Sequence, residues 1–194
     1  MQPRTVREVI YHHYAKFIAS AMLDVKWQNI PDESLRKRYW GLVRDRYSRL
    51  LSGEIAMSSS SKEFKMLVED RGSSCIYCGS TDSLEWDHII PLARGGPDTP
   101  DNLVRACATC NRSKGSKTPS EFYAGRWDQI PRIVQGLYLK LLYAEHERGS
   151  TLDATEFPSG EKPRISVLAR VFETSNAAHP LKSGRRLGES EHPE

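Results

Sequence analysis

The sequence predicts an α+β fold that is mostly helical, with one small ββα unit set among flanking helices. Three observations predict it. Apolar residues recur at helical spacing over 4–26, 32–51 and 131–147. Two C-x-x-C pairs, Cys75/Cys78 and Cys107/Cys110, bracket a middle segment. Within that segment an extended apolar run, a turn-rich loop, a second extended run and a helix start follow one another.

The first helix carries Val6, Val9, Ile10, Phe17, Ala21 and Val25 on one face. His12 and His13 lie on it, but nothing nearby completes a ligand set, so packed or partly exposed helical histidines are expected. Pro31-Asp32 opens the second helix, whose apolar face is Tyr39, Trp40, Val43, Tyr47 and Leu50. Its many arginines fit a phosphate-contacting surface and a solvated face equally well. A Ser-rich break follows at 57–61. Ser60 and Glu63 then form a capping-box pattern ahead of a short helix through Phe64 and Val68, ending at Gly72. After the middle segment, Thr118-Pro119 with Glu121 starts another helix, burying Phe122, Tyr123 and Trp127. Pro131 opens a longer one through Glu147, closed by Gly149. Residues 165–172 alternate like a strand yet also place Ile165, Leu168 and Phe172 at helical spacing. From Ser175 the composition turns to Gly, Ser, Pro and charge, and a loose tail is expected. The expected organisation is a helical N-terminal region at 1–56 for dimerisation or DNA docking, a chemistry-bearing module at 57–127, a helical extension at 128–174 and a tail at 175–194.

Composition narrows the class. Across 194 residues the apolar fraction is 38%, enough for a real but modest core. Net charge is +3, compatible with a polyanionic partner without demanding one. No apolar run approaches the ~20 residues needed to span a bilayer, and the N-terminal stretch lacks a secretory apolar core. A cytoplasmic, reducing setting is expected, in which paired C-x-x-C motifs point to metal rather than disulfides. Four thiolates close a tetrahedral zinc site with no open position, so the zinc is expected to be structural.

The chemistry is concentrated in LEWDHIIPLARGGPDTPDNLVRACATCNRSKGSK, residues 84–117. The Asp87 carboxylate and the Asn111 side-chain carbonyl are hard oxygen donors suited to Mg²⁺ or Mn²⁺. A histidine's unperturbed pKa lies near working pH, so His88 can serve as a general base. Asn102 can hold the imidazole or order the loop. In a regular strand, adjacent Asp87 and His88 point to opposite faces, so a loop end or bulge is expected if both are to serve one site. A blander reading keeps Asp87 and Asn102 as turn caps and His88 as a spare zinc ligand. Arg94, Arg105, Arg112, Lys114 and Lys117 surround the segment and are candidate phosphate contacts.

The DHIIPLARGG, DNL and CATCNRSKG segments resemble the HNH, or ββα-metal, endonuclease family, over about Cys75 to Lys117. The resemblance implies that His88 deprotonates the attacking water, with Asn102 orienting it or bracing the loop. It also implies that Asp87 and Asn111 hold one divalent metal. The products would carry 5′-phosphate and 3′-hydroxyl ends. The third motif position is Asn111 rather than His, which removes a nitrogen ligand and favours Mg²⁺ or Mn²⁺ over Zn²⁺ or Ni²⁺ in catalysis. Double-stranded DNA is the expected substrate, restriction or phage defence the expected setting, and a homodimer one route to a double-strand cut. The rival readings are a non-catalytic zinc-ribbon-like module that docks on nucleic acid or protein, and an RNA nuclease.

Overall fold

The computed structural model describes residues 4–26, 29–30, 32–57, 73–157 and 159–173. The Ser-rich break after Met57, the 60–72 helix and the tail from Ser175 lie outside them. Helix α1 spans Val6–Leu23, with Thr5 as N-cap accepting from the Glu8 N–H. It ends at Asp24 in the left-handed region. Helix α2, Glu33–Leu51, starts on Asp32, whose carboxylate accepts from the Leu35 N–H at 2.7 Å. Both starts follow from a short polar side chain satisfying an N–H that the first helical turn leaves free.

The middle segment forms β1 (Leu84–His88) and β2 (Leu103–Cys107), then helix α3 (Ala108–Lys114). The strands pair antiparallel from Leu84↔Cys107 to His88↔Leu103. The short helix α4, Pro119–Phe122, carries the expected capping box between Thr118 and Glu121. Helix α5, Arg132–Arg148, closes at Gly149.

One apolar core joins these parts. Ile10 of α1, Tyr39 and Leu50 of α2, and Leu137 and Leu142 of α5 pack with Ile89, Ile90 and Val104 of the ββα unit. Helix α5 departs from the expected one-sided pattern. Every residue from Val134 to Leu142 is buried, as in a helix surrounded by neighbours rather than laid on a surface. The Gln135 amide turns its donors onto the Trp127 and Ile130 carbonyls, which makes its burial tolerable. The apolar faces of α1 and α2 are used within the chain, and nothing among the described residues argues for a homodimer. The segment 165–172 takes the helical option: turns run into a short helix through i→i−3 hydrogen bonds, and Leu168 and Phe172 are buried. No helix among the described residues is long and apolar enough to cross a membrane.

The helical histidines are packed, as expected. His13 lies edgewise on Trp127 and His12 on Tyr47. Burial lowers His12 to about 4 and His13 to about 3, from an ordinary 6.5. Burial also lowers His146, whose ring nitrogens bond the Leu168 carbonyl and the Thr151 hydroxyl. Folding therefore favours the neutral imidazoles. Their contribution to stability is complete above the unfolded pKa and is lost as pH falls towards the folded values. The melting temperature is expected to fall from pH 6.5 to pH 5, above the range where carboxylates titrate. A melting temperature that stays flat over that interval would contradict this packing.

Candidate active site and metal-binding cysteines

The cysteines converge as the spacing implies. Ligand atoms of Cys75, Cys78, Cys107 and Cys110 all lie within 4.8 Å of one another. Cys78 and Cys107 sulfurs are 3.7 Å apart, close to the edge of about 3.8 Å that a tetrahedron with 2.3 Å metal–sulfur bonds requires. The first knuckle turns through Gly79 at φ 79°, with its N–H on the Cys75 carbonyl at 2.8 Å. The second is the start of α3, where the Cys107 sulfur caps the Cys110 N–H at 3.4 Å. Burial pushes the Cys75 thiol up, but backbone donors of Cys107, Cys78 and Tyr77 bring it down to about 7. The Cys78 and Cys110 thiols lie above their ordinary value instead, so the fit to a metal rests on the positions of the sulfurs. The four side chains therefore fit a metal of tetrahedral, sulfur-rich preference.

Asp87 and His88 both lie in β1, and the register runs through them without interruption. No bulge lies there, but His88 is the last residue of the strand, where the loop begins, and the two side chains meet different partners. Asp87 is 4% exposed. Its Oδ2 accepts from the Tyr77 hydroxyl at 2.6 Å and its Oδ1 from the Lys114 ammonium at 2.9 Å. Lys114 is itself buried and also donates to the His88 carbonyl at 2.6 Å. Burial lowers the Lys114 pKa, and Asp87 partly offsets this; burial and the Asp87 charge raise Tyr77 well above its usual value. Asn111 stands three residues before Lys114 on α3, hence on the same helix face. Its side chain has no hydrogen bond to the described residues. Each Asp87 oxygen keeps a lone pair beyond the bond it accepts, and Asn111 adds an uncommitted amide oxygen on α3. A cation on Asp87 would compete with Lys114 for Oδ1.

His88 is partly exposed, and its Nε2 lies 3.0 Å from Asp98 Oδ1. Asp98 is not among the site residues expected from the sequence. It lies ten positions away in the turn-rich loop, and only the closed loop brings it to the imidazole.

Asn102 is fully buried and takes the loop-bracing option. Its Oδ1 accepts from the Ile90 N–H at 2.8 Å, and its Nδ2 donates to the Ile90 and Pro97 carbonyls at 2.9 and 2.7 Å. Gly96 completes the closure, since a Cβ there would sit 2.0 Å from the Ile90 carbonyl oxygen. Asn102→Ala is expected to lower stability by about 2–4 kcal/mol, because it orphans a buried N–H and two carbonyls. Urea denaturation measures this; a change within experimental scatter would show that the loop closes without the brace.

The surrounding cations divide into two groups. Arg94 is held by Glu121 at 2.5 Å and by Glu173 at 2.6 Å, and Lys114 by Asp87. Both are committed to carboxylates rather than presented to a partner. Arg112 and Lys117 are exposed on and just beyond α3. Arg105 lies over the ring of its cross-strand partner Trp86, 4.7 Å from the centroid. Trp86 is 59% exposed. A tryptophan at an outward position of a strand is the sequence signal for this surface, and it is absent from the residues expected to bind.

Comparison with known proteins agrees on the central segment. Residues 75–117 match the family described as HNH endonuclease. The chain is 43% identical over 61 residues to a CRISPR-associated endonuclease Cas9 of Corynebacterium diphtheriae, covering 29% of this chain and 6% of that protein. It is likewise 43% identical over 70 residues to a CRISPR-associated endonuclease Cas9 of Actinomyces naeslundii, covering 34% of this chain and 6% of that protein. The chain thus spans a small fraction of these relatives' length. No solved structure matches it.

Proposed function

We propose that the HNH endonuclease domain at residues 75–117 makes this chain a metal-dependent nuclease that hydrolyses DNA phosphodiester bonds. The observation that carries the reading is the pairing of His88 with Asp98 at the end of β1, beside the loop that Asn102 braces. An Nε2–H donated to the Asp98 carboxylate leaves Nδ1 as the basic nitrogen. His88 then takes a proton from the attacking water at Nδ1, and Asp98 stabilises the imidazolium that forms. Asn102 acts through the loop, holding Ile90 and Pro97 so that Asp98 stays on the imidazole. Asp87 and Asn111 would hold Mg²⁺ or Mn²⁺, which supplies charge stabilisation at the phosphate and the leaving 3′ oxygen. The products are 5′-phosphate and 3′-hydroxyl ends. Zinc on the four cysteines is structural, tying the start of β1 to the start of α3. Restriction or phage defence is the setting carried forward from the sequence.

A second reading is favoured by one observation. Asp87 is already held by Tyr77 and Lys114, as in a module that binds nucleic acid without cutting it. Incubating the protein with DNA and RNA in Mg²⁺ or Mn²⁺ separates the readings: cutting of DNA supports the nuclease, cutting of RNA alone makes it a ribonuclease, and binding without cutting supports the second.

A further inference from the structure

A pocket of about 670 Å³ opens between α1 and the stretch that carries Thr155, Glu156 and Lys162 to Ile165. It shares no lining residue with the candidate active site. Its floor is apolar, made of Val9, Pro163 and Ile165. Its rim is cationic: Arg4, Lys162 and Arg164 are exposed on it, with Glu156 among the lining residues and Glu8 and Glu161 close to Arg4 and Arg164. Lys16 also lines it, with its ammonium 5.6 Å from the Trp40 ring centroid. Two imidazoles, His12 and His13, complete the α1 wall. The His13 Nδ1 is buried with no hydrogen-bond partner among the described residues. Buried polar atoms in native proteins are rarely left unpaired.

The combination of an apolar floor and a cationic rim suits bases below and phosphates above. A duplex is far too wide to enter a pocket of this size, whereas one strand fits. We propose that this groove binds a single-stranded nucleic-acid segment, with Arg4, Lys162 and Arg164 on its phosphates. The proposal rests on the nuclease reading only for the choice of nucleic acid as the source of the phosphates. It gives the helical frame a binding role separate from the ββα unit.

The test measures binding, so it stands or falls independently of cleavage. Full-length His88→Ala protein, which does not consume the probe, is titrated with a fluorescent oligothymidylate of about 12 nucleotides at several salt concentrations. Lys162→Glu with Arg164→Glu is expected to weaken binding on the order of tenfold or more. It should also lower the salt slope by about 1.4, because two phosphates of the strand are no longer neutralised. Both side chains are exposed, so the melting temperature should not change. A comparison pair outside the groove lining, Lys37→Glu with Arg44→Glu on α2, makes the same change of charge and should weaken binding clearly less. Unchanged affinity and slope in the groove variant would overturn the proposal. So would equal weakening by both pairs, which is bulk charge, or a groove that takes inorganic phosphate or a mononucleotide while the oligomer fails to compete.

Discussion

Replacing His88 with alanine is expected to lower DNA cleavage by about 10²–10⁴-fold, the usual worth of a positioned general base. DNA binding should remain. His88 is partly exposed at the end of β1, and its side-chain hydrogen bond runs to the exposed Asp98 rather than into the core. Its removal leaves the Asn102 brace and the cysteine cluster intact, so thermal melting should match the parent protein. Asp98→Asn tests the same arrangement from the other side. It keeps the hydrogen bond but removes the charge that stabilises the imidazolium, so the rate should fall and the pH profile of cleavage should shift, with folding unaffected. If His88→Ala cuts DNA at the parent rate, the base has been assigned to the wrong residue. If His88→Ala also fails to bind DNA at unchanged stability, His88 is a binding contact.

The second large effect concerns the cysteines. Metal analysis of the purified protein is expected to find one zinc per chain. Structural zinc in small modules contributes apparent binding energies of about 10–16 kcal/mol, against a whole-domain stability of about 5–15 kcal/mol. Among the described residues, Cys75, Ala106 and Cys107 form a small buried cluster at that end of the ribbon, with Tyr77, Leu84 and Cys110 packed against it, and a zinc ion would add most to so small a core. Chelating zinc, or making Cys107→Ser, should therefore strip amide-exchange protection from β1, β2 and α3. Helices α1, α2 and α5 should keep more of theirs, because they bury most of the shared core. Removing Mg²⁺ should silence cleavage and leave protection unchanged. A protein that binds no zinc yet protects the ribbon fully would refute this division between the two metals.

What can be read from the sequence follows from how local each feature is. The knuckles, the helix caps at Asp32 and Thr118, and the ββα order depend on residues within a few positions of one another. Asn102 stands out in the sequence, but its choice between orienting His88 and bracing the loop depends on where the 89–102 loop closes. Asp98 escapes for the same reason, since a charged residue in a turn-rich loop is usually solvated. Arg94 and Lys114 resemble phosphate contacts because sequence shows charge without showing partners. Glu121 and Glu173 lie 27 and 79 positions from Arg94, and Asp87 lies 27 from Lys114. The burial of α5 on all sides also depends on tertiary packing. Its residues 135 and 140 are polar, and an isolated reading leaves them on a wet face.

The Asp87–Lys114 pair makes metal loading the step to watch. The Lys114 ammonium lies 2.9 Å from Asp87 Oδ1, so a divalent cation on Asp87 would displace it or share the oxygen. Cleavage itself is therefore the decisive readout. Zinc-loaded protein is incubated with supercoiled plasmid, modified and unmodified, in Mg²⁺, in Mn²⁺ and without either. Nicked circles are expected in the presence of either ion and none without, with ends that a ligase can reseal because they carry 5′-phosphate and 3′-hydroxyl groups. Intact, zinc-loaded protein that binds these plasmids and nicks none of them would show that His88 and its metal do not form a nuclease.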